Sequence, residues 1–210
     1  MLETISYYSA LVLEGLIGIF GIRLYEEPRY NVVSRVADGI EIRRYGPRLA
    51  AEVEFPAAAP NGRDHAFRLL FAYISGANQS GPAQDWVAMT TPVEVRGRER
   101  VAMTTPVQAS ETASIGRMQF FLPAKYSADS APAPTDPRVR VITVPGETIA
   151  ALRFSGSSAA FAERQQELIG KLAGSGWQPA GGSYALNYDA PFTIPFLRRN
   201  EAAVAVLPNR

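Results

Sequence analysis

Apolar and polar residues alternate along much of this chain, most clearly between residues 30 and 55. In the run IEIRRY, Ile40 and Ile42 fall on one face and Glu41 and Arg43 on the other, polar face, and the run RLAAEVEF is apolar at every second position. A period of two is typical of strands with one buried face. The turn-forming pairs DG and GP separate the runs. We therefore predict a meander of three antiparallel strands in this stretch.

A helical period replaces the alternation in residues 64–75. Apolar side chains recur there at spacings of three and four, which is the pattern of a helix face. Asn61 or Asp64 can cap the start of this helix, and Gly76 can end it. The outward side of a surface helix ordinarily carries charged residues, but the outward side of this helix is largely apolar. We therefore predict that a ligand or a partner covers that side. The predicted buried stripe is Phe67, Leu70, Phe71 and Ile74, and the opposite side holds His65, Leu69 and Ala72.

The heptapeptide VAMTTPV occurs twice, at residues 87–93 and 101–107. Gly97 lies at the centre of the link, so we predict a β-hairpin with a three-residue turn. A register symmetric about Gly97 puts the methionines and valines on one face and the threonines on the other, whereas a two-residue turn would reverse the faces. Since proline cannot donate to a ladder, the repeats are expected to end or bend at sheet edges.

The second half of the chain repeats this order of elements. Alternation returns in residues 118–122, in RVRVITV and ETIAALRF around a PG turn, and in a last strand with Val204 and Val206 inward. A second helix is predicted over residues 157–173. Its expected buried face is Phe161, Gln165, Leu168 and Leu172.

Strands, helix and strands thus follow one another twice, over residues 30–107 and 115–207. Sheets and amphipathic helices bury their apolar faces against each other in layers. We predict an α+β fold in which two pseudo-symmetric βαββ repeats form one curved antiparallel sheet flanked by two helices.

The first 25 residues differ in character from the rest. Between Glu3 and Arg23 the only charged residue is Glu14. The basic start and cleavage site of a secretory signal are missing, and a central glutamate would be costly in a spanning helix. We predict an amphipathic helix over residues 1–25, ahead of a domain of residues 26–210. Residues 1–24 would dock on a membrane surface or an apolar partner helix, so a cytoplasmic protein with peripheral membrane attachment is expected.

Composition narrows the functional classes. The chain has 21 basic and 20 acidic side chains, and it therefore lacks the strongly positive character of a nucleic-acid-binding protein. It has no cysteine and one histidine, which excludes thiolate chemistry and clusters of histidine ligands. No nucleophile, base and orienting group occur at a recognisable spacing. We predict a binding protein rather than an enzyme.

Several segments, in order along the chain, resemble the SOUL/HBP heme-binding proteins and indicate a bacterial member of that family. They span about residues 30–207 and include IEIRRYGPRLAAEVE, FRLLFAYISGANQ, both copies of VAMTTPV, LRFSG and YDAPFTIPFLRRNE. The resemblance implies two βαββ repeats, similar to bacterial effector-binding domains, and binding of heme or a related tetrapyrrole. The shallow apolar groove of the family would lie here between residues 66–76 and residues 188–199.

The resemblance and the side-chain chemistry together give candidate site residues. His65 is the candidate ligand to heme iron, although a solvated helix histidine is the commoner case. Arginines offer a planar fork to propionate carboxylates, and aromatic rings offer flat apolar contact to a macrocycle. Met89 and Met103 are assigned to packing. The full set is His65, Phe67, Arg68, Leu69, Phe71, Tyr188, Phe192, Phe196, Arg198 and Arg199.

Three other functions stay open at this point. The same groove could serve an effector-binding module for another flat hydrophobic ligand. The N-terminal helix could dock the chain as an accessory subunit on a membrane or a protein complex. An enzyme acting on a tetrapyrrole is the least supported, because His65 has no orienting carboxylate at a suitable spacing.

Overall fold

A computed structural model describes residues 26–37, 39–79, 87, 90–96, 115–157, 160–189 and 193–209. Two α-helices lie in this part of the chain, α1 (Gly62–Ile74) and α2 (Phe161–Leu172), with a short 3-10 helix at Pro195–Leu197. The strands are β1 (Tyr30–Ala37), β2 (Ile40–Tyr45), β3 (Arg48–Pro56), β4 (Asn78–Gln79), β5 (Val93–Arg96), β6 (Ile115–Phe121), β7 (Ala133–Pro134), β8 (Arg140–Val144), β9 (Glu147–Phe154), β10 (Trp177–Pro179), β11 (Tyr184–Asn187) and β12 (Asn200–Pro208).

One curled antiparallel sheet holds most of the strands. Its order is β1-β2-β9-β12-β11-β5-β6-β3-β8, and β10 pairs with the end of β12. A separate two-stranded ladder joins β4 to β7. The strand order is symmetric about its centre. Counted inward from the two sides, β9, β12 and β11 correspond to β3, β6 and β5. Two βαββ units, β3-α1-β5-β6 and β9-α2-β11-β12, therefore meet where β11 pairs with β5.

The boundary between the units differs from the predicted one. β6 belongs to the first unit, since it pairs with β3 and β5, although the sequence order had assigned residues 115–121 to the second. The strand before each unit crosses to the other unit, because β2 pairs with β9 and β8 pairs with β3. The predicted meander of β2 and β3 and the predicted hairpin of β8 and β9 are therefore wrong.

These two pairings were predicted wrongly because alternation shows which face of a strand is buried. It does not show which other strand pairs with it. The two short connections that were read as hairpin turns lie side by side, with Tyr45 opposite Glu147 and Arg48 opposite Val144. A Cβ on Gly146 would approach the carbonyl oxygen of Tyr45 to 3.0 Å, so glycine permits this close crossing. The crossing ties the two units into one sheet.

β5 also differs from the prediction. Over residues 93–95 one edge pairs with β6 and the other with β11, so the strand is central and has no edge for a hairpin partner beyond Gly97. Pro92 stands immediately before β5, where its missing N–H removes no ladder bond. Met89 and the second heptapeptide lie outside the described residues.

α1 packs on β3 and β6 with a stripe that differs from the predicted one. Its buried side chains are Ala66, Leu70, Tyr73 and Ile74, while Phe71 is 43% exposed and Leu69 is partly buried. The prediction included Phe71 because it continues the spacing of three and four from Phe67. Tyr73 is tolerated inside because its hydroxyl donates to the carbonyl of Pro132 at 2.8 Å.

α2 confirms its predicted buried face. Phe161, Leu168 and Leu172 are buried against β9 and β12, and Gln165 is half-buried. The ring of Phe161 meets that of Phe154 edge-on, with centroids 5.0 Å apart. The predicted strands with Met118 and Phe120 inward, and with Val204 and Val206 inward, are confirmed as well.

The predicted helix over residues 1–25 lies outside the described residues. It stays a prediction, and so does its docking on a membrane or a partner. None of the helices in the described ranges is long and apolar enough to cross a membrane.

Replacing Leu168 by alanine should destabilise the fold by about 2–5 kcal/mol, because Leu168 is fully buried and its truncation leaves a cavity. Urea unfolding of the purified variant measures this change. Ile169→Ala is the matched control, since Ile169 is the next residue and is 40% exposed. It should change stability by less than about 0.5 kcal/mol. Equal losses in the two variants would contradict the position of α2.

Candidate functional site

The candidate site residues on α1 lie on two opposite flanks of the helix. At about 100° per residue, Phe67 and Phe71 are on one side of the buried stripe and His65 and Leu69 are on the other. Phe67 meets Phe120 of β6 edge-on at 5.5 Å, so its flank faces the middle of the sheet. One flat ligand cannot lie against both flanks at once.

Three aromatic rings lead from the core to the surface on the Phe71 flank. Phe120 is buried, Phe67 is half-buried, and Phe71 is exposed. Phe67 and Phe71 are stacked, with centroids 6.1 Å apart and planes 13° from parallel. Such stacking contributes about 0.5–1.5 kcal/mol beyond burial and holds the outer ring in place. Phe71 therefore presents a supported aromatic surface to the exterior.

His65 faces the β8 edge of the sheet. It is exposed, and its Nε2 atom lies 3.0 Å from Nη1 of Arg138. Because a guanidinium can only donate, Nε2 accepts this hydrogen bond and the ring proton is on Nδ1. Arg138 also binds both carboxylate oxygens of Asp136, at 2.9 and 2.6 Å, and these bonds lower the pKa of Asp136 to about 2. The imidazole nitrogen most suited to a metal is thus engaged within the chain.

The loop between β11 and β12 supplies the other candidate wall. Phe196 in the 3-10 helix is 73% exposed, and Arg198 donates from Nε to the carbonyl of Thr193 at 2.7 Å. Tyr188 is buried, so it is not available to a ligand in a surface groove. Phe192 lies outside the described residues. Arg68 is exposed on the outward side of α1.

The sheet register brings the two walls to the same end of the sheet. Asn187 closes β11 opposite both Asn200 and Val93, and Val93 lies opposite Phe120. The loop that follows Asn187 therefore leaves the sheet at the end where the aromatic rings of α1 begin. Phe67 packs on Phe120 at this same end.

Arg199 has a different environment from the one predicted for a propionate partner. Its Nε and Nη2 donate to Glu201 Oε1 at 3.0 and 2.8 Å, and its Nη1 donates to Glu27 at 3.1 Å. The guanidinium carbon is 3.8 Å from the ring centroid of Tyr188. Burial would lower the pKa of Arg199, but Glu201 and Tyr188 raise it above its usual value. The side chain is committed to contacts within the protein.

Glu201 is the centre of a buried ionic cluster that the sequence did not reveal. It is fully buried and also accepts from Arg43, at 2.6 and 3.2 Å, and from the hydroxyl of Tyr188 at 2.8 Å. Arg43 is 4% exposed, although the alternation of β2 had placed it on a solvent face. That face of the sheet is buried, so the charged side chain at this position of the pattern is held in an ion pair. The available sequence signal for this cluster was the charged residue Glu201 within the largely apolar run NEAAVAV.

Burial would raise the pKa of Glu201, but hydrogen bonds and charge from Arg43 and Arg199 lower it below its ordinary value of 4.5. Burial likewise raises the pKa of Tyr188 well above 10, with Glu201 adding to the effect. Glu201 is therefore ionised at neutral pH and Tyr188 is a neutral donor. No group of three or more acidic or histidine side chains in the described ranges is arranged to hold a metal ion.

Comparison with known proteins identifies the family. The model of the family described as SOUL heme-binding protein matches residues 25–205. The chain belongs to the SOUL heme-binding protein family. This confirms the resemblance of the sequence segments. No curated protein sequence matches the chain.

Solved structures share the fold at low sequence identity. The C-terminal domain of EcmrR matches with a TM-score of 0.57 and 8% identity, covering 86% of this chain and 99% of that one. An uncharacterized conserved protein from Listeria innocua matches with a TM-score of 0.56 and 12% identity, covering 80% and 92%. EcmrR in a complex with DNA matches with a TM-score of 0.51 and 9% identity, covering 100% and 65%. At these identities the likeness shows the fold alone.

Arg43→Ala should destabilise the protein by about 3–5 kcal/mol at pH 7, because it leaves buried Glu201 with one partner fewer. The pKa of Glu201 is lowered by folding, so its stabilising contribution is present above pH 4.5 and is lost as the pH falls through the lowered value. The gap between wild type and variant should therefore narrow in acid. Urea unfolding at several pH values measures it.

Arg44→Ala is the matched control, since the neighbouring Arg44 is exposed and makes none of these contacts. Its effect should stay within about 0.5 kcal/mol at every pH. A small, pH-independent effect of Arg43→Ala would show that the ionic cluster does not stabilise the fold.

Proposed function

We propose that the protein binds heme or a related tetrapyrrole on the Phe71 flank of α1, and that the macrocycle is held by aromatic and apolar contact. The observation that carries this proposal is the exposed Phe71 ring, stacked on Phe67 and supported by Phe120. Membership of a heme-binding family supports the class of ligand. A flat, fixed aromatic surface is suited to a flat apolar ligand.

The distribution of donor atoms favours binding without a ligand to the iron from the described chain. His65 is on the far flank of α1 with Nε2 bound to Arg138, and the sequence contains no cysteine. Met118 is 4% exposed and belongs to the core. If this proposal is correct, metal-free protoporphyrin should bind about as tightly as hemin.

Among the arginines, Arg68 is the best placed to meet a propionate. It precedes Phe71 by three residues, so the two side chains are neighbours on the helix surface. Arg68 is exposed, whereas Arg199 is engaged by Glu201 and Glu27. Arg198 stands at the other wall and keeps its side chain near Thr193. We assign the carboxylate contacts to Arg68 and Arg198.

The proposal includes no catalytic role and no nucleic-acid partner. Acidic and basic side chains are almost balanced, 20 against 21, which supports a partner other than nucleic acid.

Phe71→Ala should weaken protoporphyrin and hemin to a similar extent, by about tenfold or more, because a supported aromatic contact is lost. His65→Ala should leave both affinities and the Soret maximum unchanged. Fluorescence quenching of protoporphyrin and Soret titration of hemin provide the affinities. Ile169→Ala is the matched control, because Ile169 is 40% exposed on the other helix.

Two results would reject this assignment. One is a shifted Soret maximum and lost hemin affinity in His65→Ala, which would make His65 the iron ligand. The other is unchanged porphyrin affinity in Phe71→Ala. Equal binding of unrelated planar dyes of similar size would favour a less selective sensor at the same groove.

A further inference from the structure

A second candidate binding site lies away from the proposed groove. A cavity of about 360 Å³ opens beside the β2–β3 connection, between residues 26–29, residues 46–49 and the segment that follows β6. We call residues 26–29 the strap. None of the residues lining the cavity belongs to α1 or to the loop between β11 and β12. The volume is at the lower end of the range for small-molecule sites, about 300–1,000 Å³.

The strap is fixed by contacts of both of its glutamates. The carbonyl of Glu26 accepts from Thr91 N–H and its carboxylate accepts from Ala124 N–H, each at 3.0 Å. Glu27 pairs with Arg199 at 3.1 Å. The strap is therefore held by contacts to both βαββ units. A wall fixed in this way forms part of the site before a ligand arrives.

Arg48 gives the cavity a preorganised cation. Its guanidinium lies between the rings of Tyr45 and Phe121, at 4.2 and 4.5 Å from their centroids. Glu147 binds one end of it at 2.5 Å. Stacking on both faces leaves only the edge of the guanidinium for further partners. Arg48 therefore fixes the edge of a guanidinium in the wall, with its charge paired to Glu147.

Arg29 gives the cavity a second cation. It lines the cavity, its side chain is exposed, and no carboxylate of the described residues is paired with it. The acidic side chain in the lining, Glu26, is already used by Ala124 N–H. The remaining walls are largely apolar and include Leu49, Phe121 and Leu122.

We propose that this cavity binds a small organic anion, with its oxyanion at Arg29 and a short apolar body along the Leu49 and Leu122 walls. A guanidinium that no carboxylate of the described residues pairs with, beside apolar side chains, matches a charged head joined to an apolar chain. Arginine binds carboxylates and phosphates through a planar fork. The ligand is smaller than a tetrapyrrole. It is bound separately from the groove at Phe71.

Octanoate is the probe for this site, with octyl phosphate and octanol beside it in calorimetric titrations of the full chain. Octanoate or octyl phosphate should bind, and the tighter of the two identifies the head group. Octanol should bind at least about tenfold more weakly, because a charge-assisted hydrogen bond is lost. Hemin titration of each variant shows whether the separate groove is intact.

Two substitutions test the location without touching Arg48, which the packing of Tyr45 and Phe121 requires. Arg29→Gln should weaken octanoate by about tenfold or more. Ala124→Trp should abolish binding, because an exposed lining alanine becomes a ring that fills the space. Arg44→Gln is the control, since Arg44 is exposed and does not line the cavity, and it should have no effect.

The proposal is overturned if no octyl compound binds, if octanol binds as tightly as octanoate, or if Ala124→Trp binds like wild type. An equal loss of octanoate affinity in Arg29→Gln and Arg44→Gln would show that only general surface charge is involved. That result would also overturn the proposal. Hemin affinity should be unchanged in all three variants. These results are independent of the outcome for the Phe71 groove.

Discussion

A buried carboxylate, Glu201, is the constraint on which the second half of the molecule depends. An ionised carboxylate without water is costly unless positive charge and hydrogen bonds surround it. Arg43 and Arg199 supply the charge, and the hydroxyl of Tyr188 supplies a further bond. Arg43 and Glu201 are 158 residues apart in sequence, so their pairing requires β2, the strand before the first unit, to lie in the half of the sheet that holds β12. The same cluster holds the strap through Glu27.

This cluster also explains where a surface site can form. Tyr188 and Arg199 are the two ends of the loop before β12, and both are turned inward to Glu201. The loop between them is therefore anchored at its base, while Phe196 at its 3-10 helix is left exposed. On α1 the same division between inward and outward aromatic groups occurs, because Tyr73 is buried and Phe71 is exposed. The two exposed phenylalanines belong to elements that leave the sheet at one end. Folding thus takes Tyr188 and Arg199 away from a surface ligand and leaves Phe71 and Phe196 exposed.

The sequence predicted the elements better than their arrangement. Periods of two and of 3.6 located both helices and most of the longer strands, since each period follows from local geometry. The short strands β4, β7 and β10 were not predicted. They did not predict that β2 pairs with β9, because strand pairing across the crossing at Gly46 and Gly146 depends on distant residues. The face of Arg43 was misjudged because alternation cannot distinguish a solvated face from one covered by the fold. On α1 the pattern predicted that Phe71 is buried, but Tyr73 is buried instead. A hydroxyl that donates to the Pro132 carbonyl costs little free energy to bury. His65 and Leu69 were correctly predicted to share one flank of α1. The hydrogen bond between His65 and Arg138 was not predictable, because it joins residues far apart in sequence.

We propose that the macrocycle rests on the Phe71 flank of α1 and that His65 takes no part. Amide NMR spectra with manganese(III) protoporphyrin test it directly, because the paramagnetic ion broadens the signals of nuclei close to the ring. Signals of Phe67, Arg68 and Phe71 and of residues 193–198 should broaden first. Signals of Asp136 and Arg138, which lie beside His65, should stay sharp at the same porphyrin concentration. Early loss of the His65, Asp136 and Arg138 signals, with Phe71 unaffected, would contradict the account.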